Sequence, residues 1–187
     1  MKIILASASP RREKILRKLV GNVLVKPAHI DEKIRAGEGF VRACVRLAKA
    51  KAECISDAVP LSLVIGADTI AYKGRKIYRK TDDERAARKI LRELSGKTHY
   101  VITGVAIAYP SREGVCYYER SSVKMKKLSA DEIELYLKAG DWQGRAGCYD
   151  ISGKGAALVE KVIGEKETVI GLPIKKLKGL LRKAKRQ

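Results

Sequence analysis

Aromatic side chains are scarce in this chain, with one phenylalanine, one tryptophan and eight tyrosines among 187 residues. Together with the lack of any basic-aromatic module signature, this weighs against a dedicated nucleic-acid reader. Long apolar runs are missing too. No stretch approaches the ~20 apolar residues a spanning helix needs, and the opening segment, Met1 to Ser7, is too short for a secretory leader. The expectation is therefore a cytosolic protein without membrane contact. The four cysteines, Cys44, Cys54, Cys116 and Cys148, form no Cys-x-x-Cys pair and stand far in sequence from His29 and His99. That removes zinc sites of the usual spacing and leaves each cysteine to be read as a free thiol packed like a small hydrophobe. Acidic residues are few, 21 against 40 Lys and Arg, for a net charge of +19. Such a surplus favours polyanionic partners without choosing between a nucleotide and a nucleic acid.

What is present reads as one α/β domain over residues 1–187, with strands and helices alternating and no internal repeat or linker. Lys2 to Ala6 predicts a short buried strand, followed by a helix opened by Ser9 as N-cap and Pro10 and closed at Gly21. A second strand is expected around Val23 to Lys26. Phe40, Cys44, Leu47, Lys51 and Ile55 share one helical stripe, in which Lys51 is the odd member. Leu61 to Ala67 is the apolar run of a fully buried strand ending at a carboxylate, Asp68. A strand or hairpin follows through Lys76. Thr81 and Glu84 have capping-box spacing ahead of a helix that stops at Ser95-Gly96, and Ser129 and Glu132 repeat it ahead of Gly140. Strands are expected at Val101 to Tyr109 and Val115 to Lys127, joined around Pro110 to Gly114. Glycines from Gly144 to Gly171 mark loops and short strands. The closing stretch, Lys175, Lys176, Lys178, Arg182, Lys183, Lys185 and Arg186 about Ile174, Leu177, Leu181 and Ala184, is expected as a docked helix with a solvated basic face. A mixed β-sheet covered by helices is the architecture these elements predict.

The residues suited to chemistry are scattered. Ser7-Ala-Ser-Pro-Arg11-Arg12 stands at a strand-to-helix junction, where free backbone N–H groups and the positive helix end attract anions. Cations there are disfavoured by the dipole, and a polyphosphate would offset that, since guanidinium forks match phosphate oxygens. The same residues also fit an ordinary capped surface helix, and the segment alone does not decide. Asp68, at a strand end, and Asp31-Glu32, in a loop, supply carboxylates that could hold a Mg²⁺-like ion or serve in turns. Lys51 either snorkels to solvent or points into a site, and Lys80 either reaches an anion or faces solvent.

The ordered set Ser7 to Arg12, Asp31-Glu32, Arg46-Leu-Ala-Lys-Ala-Lys51, Gly66-Ala-Asp-Thr69, Leu94-Ser-Gly-Lys-Thr-His99, Thr103-Gly-Val, Ala146-Gly-Cys-Tyr-Asp-Ile-Ser-Gly153 and Val169-Ile-Gly-Leu-Pro173 resembles the Maf, or septum-formation, family of nucleoside triphosphate pyrophosphatases. The resemblance implies an elongated α/β fold of Maf/ITPase type, a mixed sheet flanked by helices, with two lobes around a central cleft and often dimeric. It implies hydrolysis of the α–β phosphoanhydride to monophosphate and pyrophosphate with a divalent metal, Mg²⁺ or Mn²⁺ and also Co²⁺, as house-cleaning of the nucleotide pool. Carried over by position, Ser7, Arg11 and Arg12 would bind phosphates, and Lys51 and Lys80 would neutralise the leaving pyrophosphate. Glu32 and Asp68 would hold the metal, and Asp68 would accept the water's proton. Members selective for dTTP and UTP pair an arginine after Ser-Pro, a threonine after the catalytic aspartate and a glutamine in the Tyr-x-Ile-Gln-Gly loop. Arg11 and Thr69 agree with them, whereas Ser152 replaces the amide with a shorter hydroxyl, which implies loosened pyrimidine selectivity. Tyr78-Arg-Lys80-Thr81 likewise departs from the usual Glu-Lys-Pro. The alternative reading is a non-catalytic nucleotide- or nucleic-acid-binding protein using its basic surface.

Overall fold

The structure is a computed structural model that describes residues 2–110 and 113–185. Arg186 and part of the expected Pro110 to Gly114 connection lie outside the described residues. The chain forms strands β1 (Lys2–Leu5), β2 (Leu24–Val25), β3 (Ser62–Lys73), β4 (Lys76–Tyr78), β5 (Thr98–Ala108), β6 (Val115–Met125) and β7 (Val159–Ile163). The helices are α1 (Pro10–Val20), α2 (Phe40–Ser56), α3 (Glu84–Leu94), α4 (Ala130–Lys138), α5 (Lys166–Ile170) and α6 (Ile174–Lys185). The strands make one mixed sheet in the order β2-β1-β3-β5-β6-β7, with β4 on β3. β1 runs parallel to β2 and β3, while β4 and β7 pair antiparallel with β3 and β6.

The chain divides into two compact units. The first holds Met1–Asp68, Thr103–Glu119 and Gly171–Gln187, and the second holds Thr69–Ile102 and Arg120–Ile170. In the first unit the sheet is covered on both faces, as the period of two along its strands requires. Ile3, Leu5, Leu63, Ile65, Val105 and Ile107 face Leu16 of α1 and Leu177 and Leu181 of α6. Ile4, Val64 and Ala106 face Ala48 and Ala52 of α2. In the second unit Val101, Val123 and Met125 pack with Leu91 and Leu94 of α3 and Ile133 and Leu137 of α4.

The local signals set the helix ends where side-chain chemistry is strong. Ser9 caps α1, accepting from the Arg12 N–H, and Gly21 closes it at φ 82°. Ser129 and Glu132 form the reciprocal box at α4. Other boundaries differ from the sequence reading. β3 does not stop at Asp68 but runs five residues further, to Lys73. Asp68 is therefore a mid-strand residue, held there by sheet pairing that an apolar run cannot reveal. The third helix starts at Glu84 under Asp83, because Asp83 accepts from Arg85 N–H while Thr81 Oγ1 accepts from Asp83 N–H. The glycine-rich tract also contains the helix α5, and 3-10 turns at Ala146–Cys148 and Lys154–Leu158. Two cysteines differ as well: Cys44 and Cys148 are buried thiols, but Cys54 and Cys116 are exposed.

Candidate active site

The chemistry-bearing residues of the first unit form a connected set. Ser7 lies two residues past the end of β1, where the turn into α1 brings it back beside Arg12. Ser7 Oγ accepts from Ser9 N–H at 3.3 Å and from Arg12 Nη1 at 2.9 Å. The Arg12 guanidinium is buried, with 5% of the residue exposed. It also donates through Nη1 to the Ala67 carbonyl at 2.9 Å and through Nε to the Gly171 carbonyl at 2.8 Å. Three segments distant in sequence, residues 7–12, the middle of β3 and the turn before α6, are thus tied through one side chain. Burial pushes the Arg12 pKa below its ordinary value, and the negative charges of Asp68 and Glu32 oppose the shift. Arg11, its neighbour in the first turn, is half-buried.

The next residue of β3 after Ala67 is Asp68, 7% exposed. Lys51 resolves its ambiguity from α2 by pointing inward. The residue is 6% exposed, and its ammonium donates to Asp68 Oδ1 at 2.7 Å and lies 2.9 Å from Glu32 Oε1. Glu32 comes from the loop before α2 and keeps 54% of its side chain exposed, so the pair presents one buried and one accessible carboxylate on a single cation. Asp31 serves its own turn, accepting from Lys33 N–H at 3.0 Å.

Two glycines explain how α2 comes close enough. A Cβ on Gly66 would strike the Ala48 carbonyl and stand 2.7 Å from Ala52 N. One on Gly104 would lie 2.6 Å from the Cys44 carbonyl. Bare backbone at both positions lets α2 lie against β3 and β5, and this is the physical content of the Gly66-Ala-Asp and Thr103-Gly-Val motifs. A residue that sequence reasoning passed over completes the contact. Cys44 Sγ accepts from Gly104 N–H at 3.1 Å and donates to the Asp68 carbonyl at 3.1 Å. Burial, reinforced by the Asp68 charge, pushes the thiol up to about 12, so it keeps the proton it donates. Its place on the Lys51 stripe, one residue before Val45-Arg46-Leu47, was the available signal, but nothing in the spacing distinguished it from a core methyl group.

The carboxylates can be tested for a metal. Among the described residues no group of three or more His, Cys, Asp and Glu could hold an ion, which removes an all-protein cage. Magnesium-like ions commonly take only one or two carboxylates and complete their shell with water and substrate phosphate. Glu32 and Asp68, converging on one cationic point, fit that pattern.

The remaining sequence candidates belong to the second unit. Thr69 follows Asp68 on β3 and is half-buried, while Lys80 is exposed between β4 and α3. Ser152 lies in the turn after Asp150, its hydroxyl donating to Asp150 Oδ1 at 2.6 Å and its N–H to the same oxygen at 2.8 Å. Arg145 Nε holds the other Asp150 oxygen at 3.2 Å, and the Tyr136 hydroxyl accepts from Asp150 N–H at 3.1 Å. Asp150 thus organises the loop carrying Ser152.

A family model described as Maf-like protein matches residues 2–184. A Pyrococcus furiosus protein named dTTP/UTP pyrophosphatase is 41% identical over 175 residues, 92% of this chain and 90% of the relative. An Aquifex aeolicus protein of the same name is 40% identical, covering 97% and 95%. A nucleoside triphosphate pyrophosphatase of Anaplasma phagocytophilum is 38% identical, covering 92% and 90%. Among solved structures, a HAM1 protein from Coxiella burnetii shares the fold at a TM-score of 0.54 and 13% identity, over 98% of this chain and 99% of that one.

Proposed function

Since the chain belongs to the Maf-like protein family, we propose that it is a nucleoside triphosphate pyrophosphatase, hydrolysing the α–β phosphoanhydride to a monophosphate and pyrophosphate. The observation that carries the reading is the unbroken series Ser7, Arg12, Ala67-Asp68, Lys51 and Glu32 in the first unit, joined by contacts of 2.7 to 2.9 Å. It combines an anion-attracting helix start, a buried carboxylate, an ammonium and a second carboxylate, which are the groups such a reaction needs.

In this reading Ser7 and Arg11 hold phosphate oxygens at the start of α1, with the Arg12 charge behind them. Asp68 accepts a proton from the attacking water, whose oxygen bonds to the α-phosphorus as the bridging oxygen departs with pyrophosphate. Lys51 orients the Asp68 carboxylate and offsets charge growing on the leaving group. By its place in the family's motif order, Lys80 would take the same neutralising part. A divalent cation held by Glu32 and Asp68 would add Lewis-acid stabilisation of the phosphate oxygens. The substrates proposed are dTTP, UTP and modified pyrimidine triphosphates, in keeping with the names of the relatives and with Arg11 and Thr69. Ser152, its hydroxyl proton engaged by Asp150, replaces an amide, so discrimination among bases is expected to be looser. The single-domain organisation, the homodimer and the cytosolic pool-cleaning role are part of the same proposal.

Incubation of purified protein with a panel of standard and modified triphosphates and Mg²⁺ or Mn²⁺ tests it. Pyrophosphate release is expected, lost by a factor of about 10² to 10⁴ in Asp68→Asn and reduced in Lys51→Met, Lys80→Met and Glu32→Gln. Release that persists in Asp68→Asn removes Asp68 from its part. No release from any triphosphate favours the non-catalytic binding reading.

A further inference from the structure

A second feature of the first unit lies at the sheet edge. β7 pairs with β6 only over Ser122–Met125, so beyond that ladder the stretch Cys116-Tyr117-Tyr118 of β6 runs along an edge that β7 does not cover. There α2, β6 and the start of α6 enclose an open groove of about 740 Å³. Its floor is apolar, with Val41, Val45 and Tyr117. Tyr117 is fixed by its hydroxyl, which donates to the Pro173 carbonyl at 3.1 Å, and Lys176 Nζ stands 5.0 Å above its ring. Tyr118 is 49% exposed. The rim carries Arg42, Lys49 and Lys176.

The groove carries a net positive charge. Its lining carboxylate, Glu38, is held by Arg46 through both oxygens at 2.6 and 2.7 Å, which brings its pKa down to about 2. Lys49 pairs with the exposed Glu53 at 3.5 Å, and such pairs bind weakly. Along α6 the cation that shares the face of Lys176 is Lys183, seven residues on, and the helix has no acidic residue between Ile174 and Lys185. On the other side the cationic tract ends at Glu53, Asp57 and Glu113, which line the adjoining cavity.

We propose that this groove binds a short stretch of single-stranded nucleic acid, its phosphates on Arg42, Lys49, Lys176 and Lys183 and a base against Tyr118. A cationic track beside an accessible aromatic face is how strands are held without sequence choice. Lys183 lies two turns past Lys176, beyond the residues that line the groove, which suits a polymer better than one nucleotide. This site is separate from the catalytic set and independent of the substrate reading.

The test is fluorescence anisotropy of labelled oligo-dT and oligo-U on the full chain across a salt series. Binding is expected, with log affinity falling linearly against log salt. The triple variant Arg42→Gln/Lys49→Gln/Lys176→Gln is expected to weaken it more than about tenfold and to flatten the slope by about two, at roughly 0.7 per phosphate contact. Tyr118→Ala is expected to weaken binding with the slope unchanged. A control of equal net charge, Lys89→Gln/Lys127→Gln/Lys161→Gln, should retain most of the affinity, and pyrophosphate release by the groove triple should equal that of the unaltered chain. The proposal is overturned if no binding survives moderate salt, if the control triple weakens binding as much as the groove triple, or if the groove triple loses hydrolysis along with binding. It is also overturned if poly-glutamate competes as well as an oligonucleotide, since the groove would then take an acidic peptide.

Discussion

Cys44 shows how much a single side chain can do between helix and sheet. Its thiol bridges Gly104 N–H and the Asp68 carbonyl, so it holds the strand that carries the proposed base. Cys44→Ala removes both partners from buried backbone groups, at a cost of roughly 1–3 kcal/mol. If Asp68 shifts by as much as an ångström, a loss of up to about a hundredfold in kcat follows, with a smaller change in KM. Cys44→Ser, which keeps a donor and an acceptor, is expected to recover part of kcat, and steady-state kinetics beside thermal melts check both. A purely structural loss would lower the melting temperature and leave kcat of the folded fraction unchanged. Arg12, by contrast, has an environment that its sequence position does not announce. Its place in the first turn of α1 suggests a surface cation, yet its fork is bound to Ser7, Ala67 and Gly171, because the burial of α1 against β3 makes internal carbonyls the nearest acceptors.

Helix α2 depends on missing side chains for its position. Gly66→Ala places a methyl against the Ala48 carbonyl and the Ala52 N–H, so α2 must move or β3 must bend. A destabilisation of about 1–3 kcal/mol is expected from overpacking, read as a lower urea midpoint, and activity should fall with it because Lys51 rides on that helix. Helix α4 offers a milder case. Ser129→Ala removes a capping box and should cost about 1 kcal/mol, with hydrolysis untouched, as urea titration and a pyrophosphate assay together would show. These elements were legible in the sequence to different degrees. Ser9, Gly21 and Ser129 marked ends correctly because a cap is a local hydrogen bond. The third helix starts later than the Thr81–Glu84 spacing predicts, because Asp83 lies nearer its first turn and takes the capping position.

For the molecule as a whole, acid is the condition that exposes a weakness. His99 is fully buried, shares a 2.8 Å hydrogen bond with the Tyr149 hydroxyl, and burial with help from Lys73 pushes it from 6.5 down to about 4. The unfolded chain takes up the proton near its ordinary value, so the unfolded state binds more protons between the two. Stability is therefore full above about pH 6.5 and declines as the pH falls, by about 3 kcal/mol in total at pH 4. Urea unfolding at pH 7.5, 6, 5 and 4 should show that slope, and His99→Gln should flatten it.

The sequence by itself determined the alternation of strands and helices, the caps and the list of candidate groups, since each of these rests on neighbours within a few residues. It also carried the family, through motifs whose order is itself linear information. Tertiary structure alone decided that β3 continues past Asp68, that Lys51 points at two carboxylates rather than at solvent, that Arg12 is an internal clamp and that Cys44 belongs to the site. The physical reason is the same in each case. Those outcomes depend on which backbone carbonyls and carboxylates the sheet brings within 3 Å or so of a side chain, and the residues concerned are far apart along the chain: Arg12 with Gly171, Cys44 with Gly104, and Lys51 with Asp68.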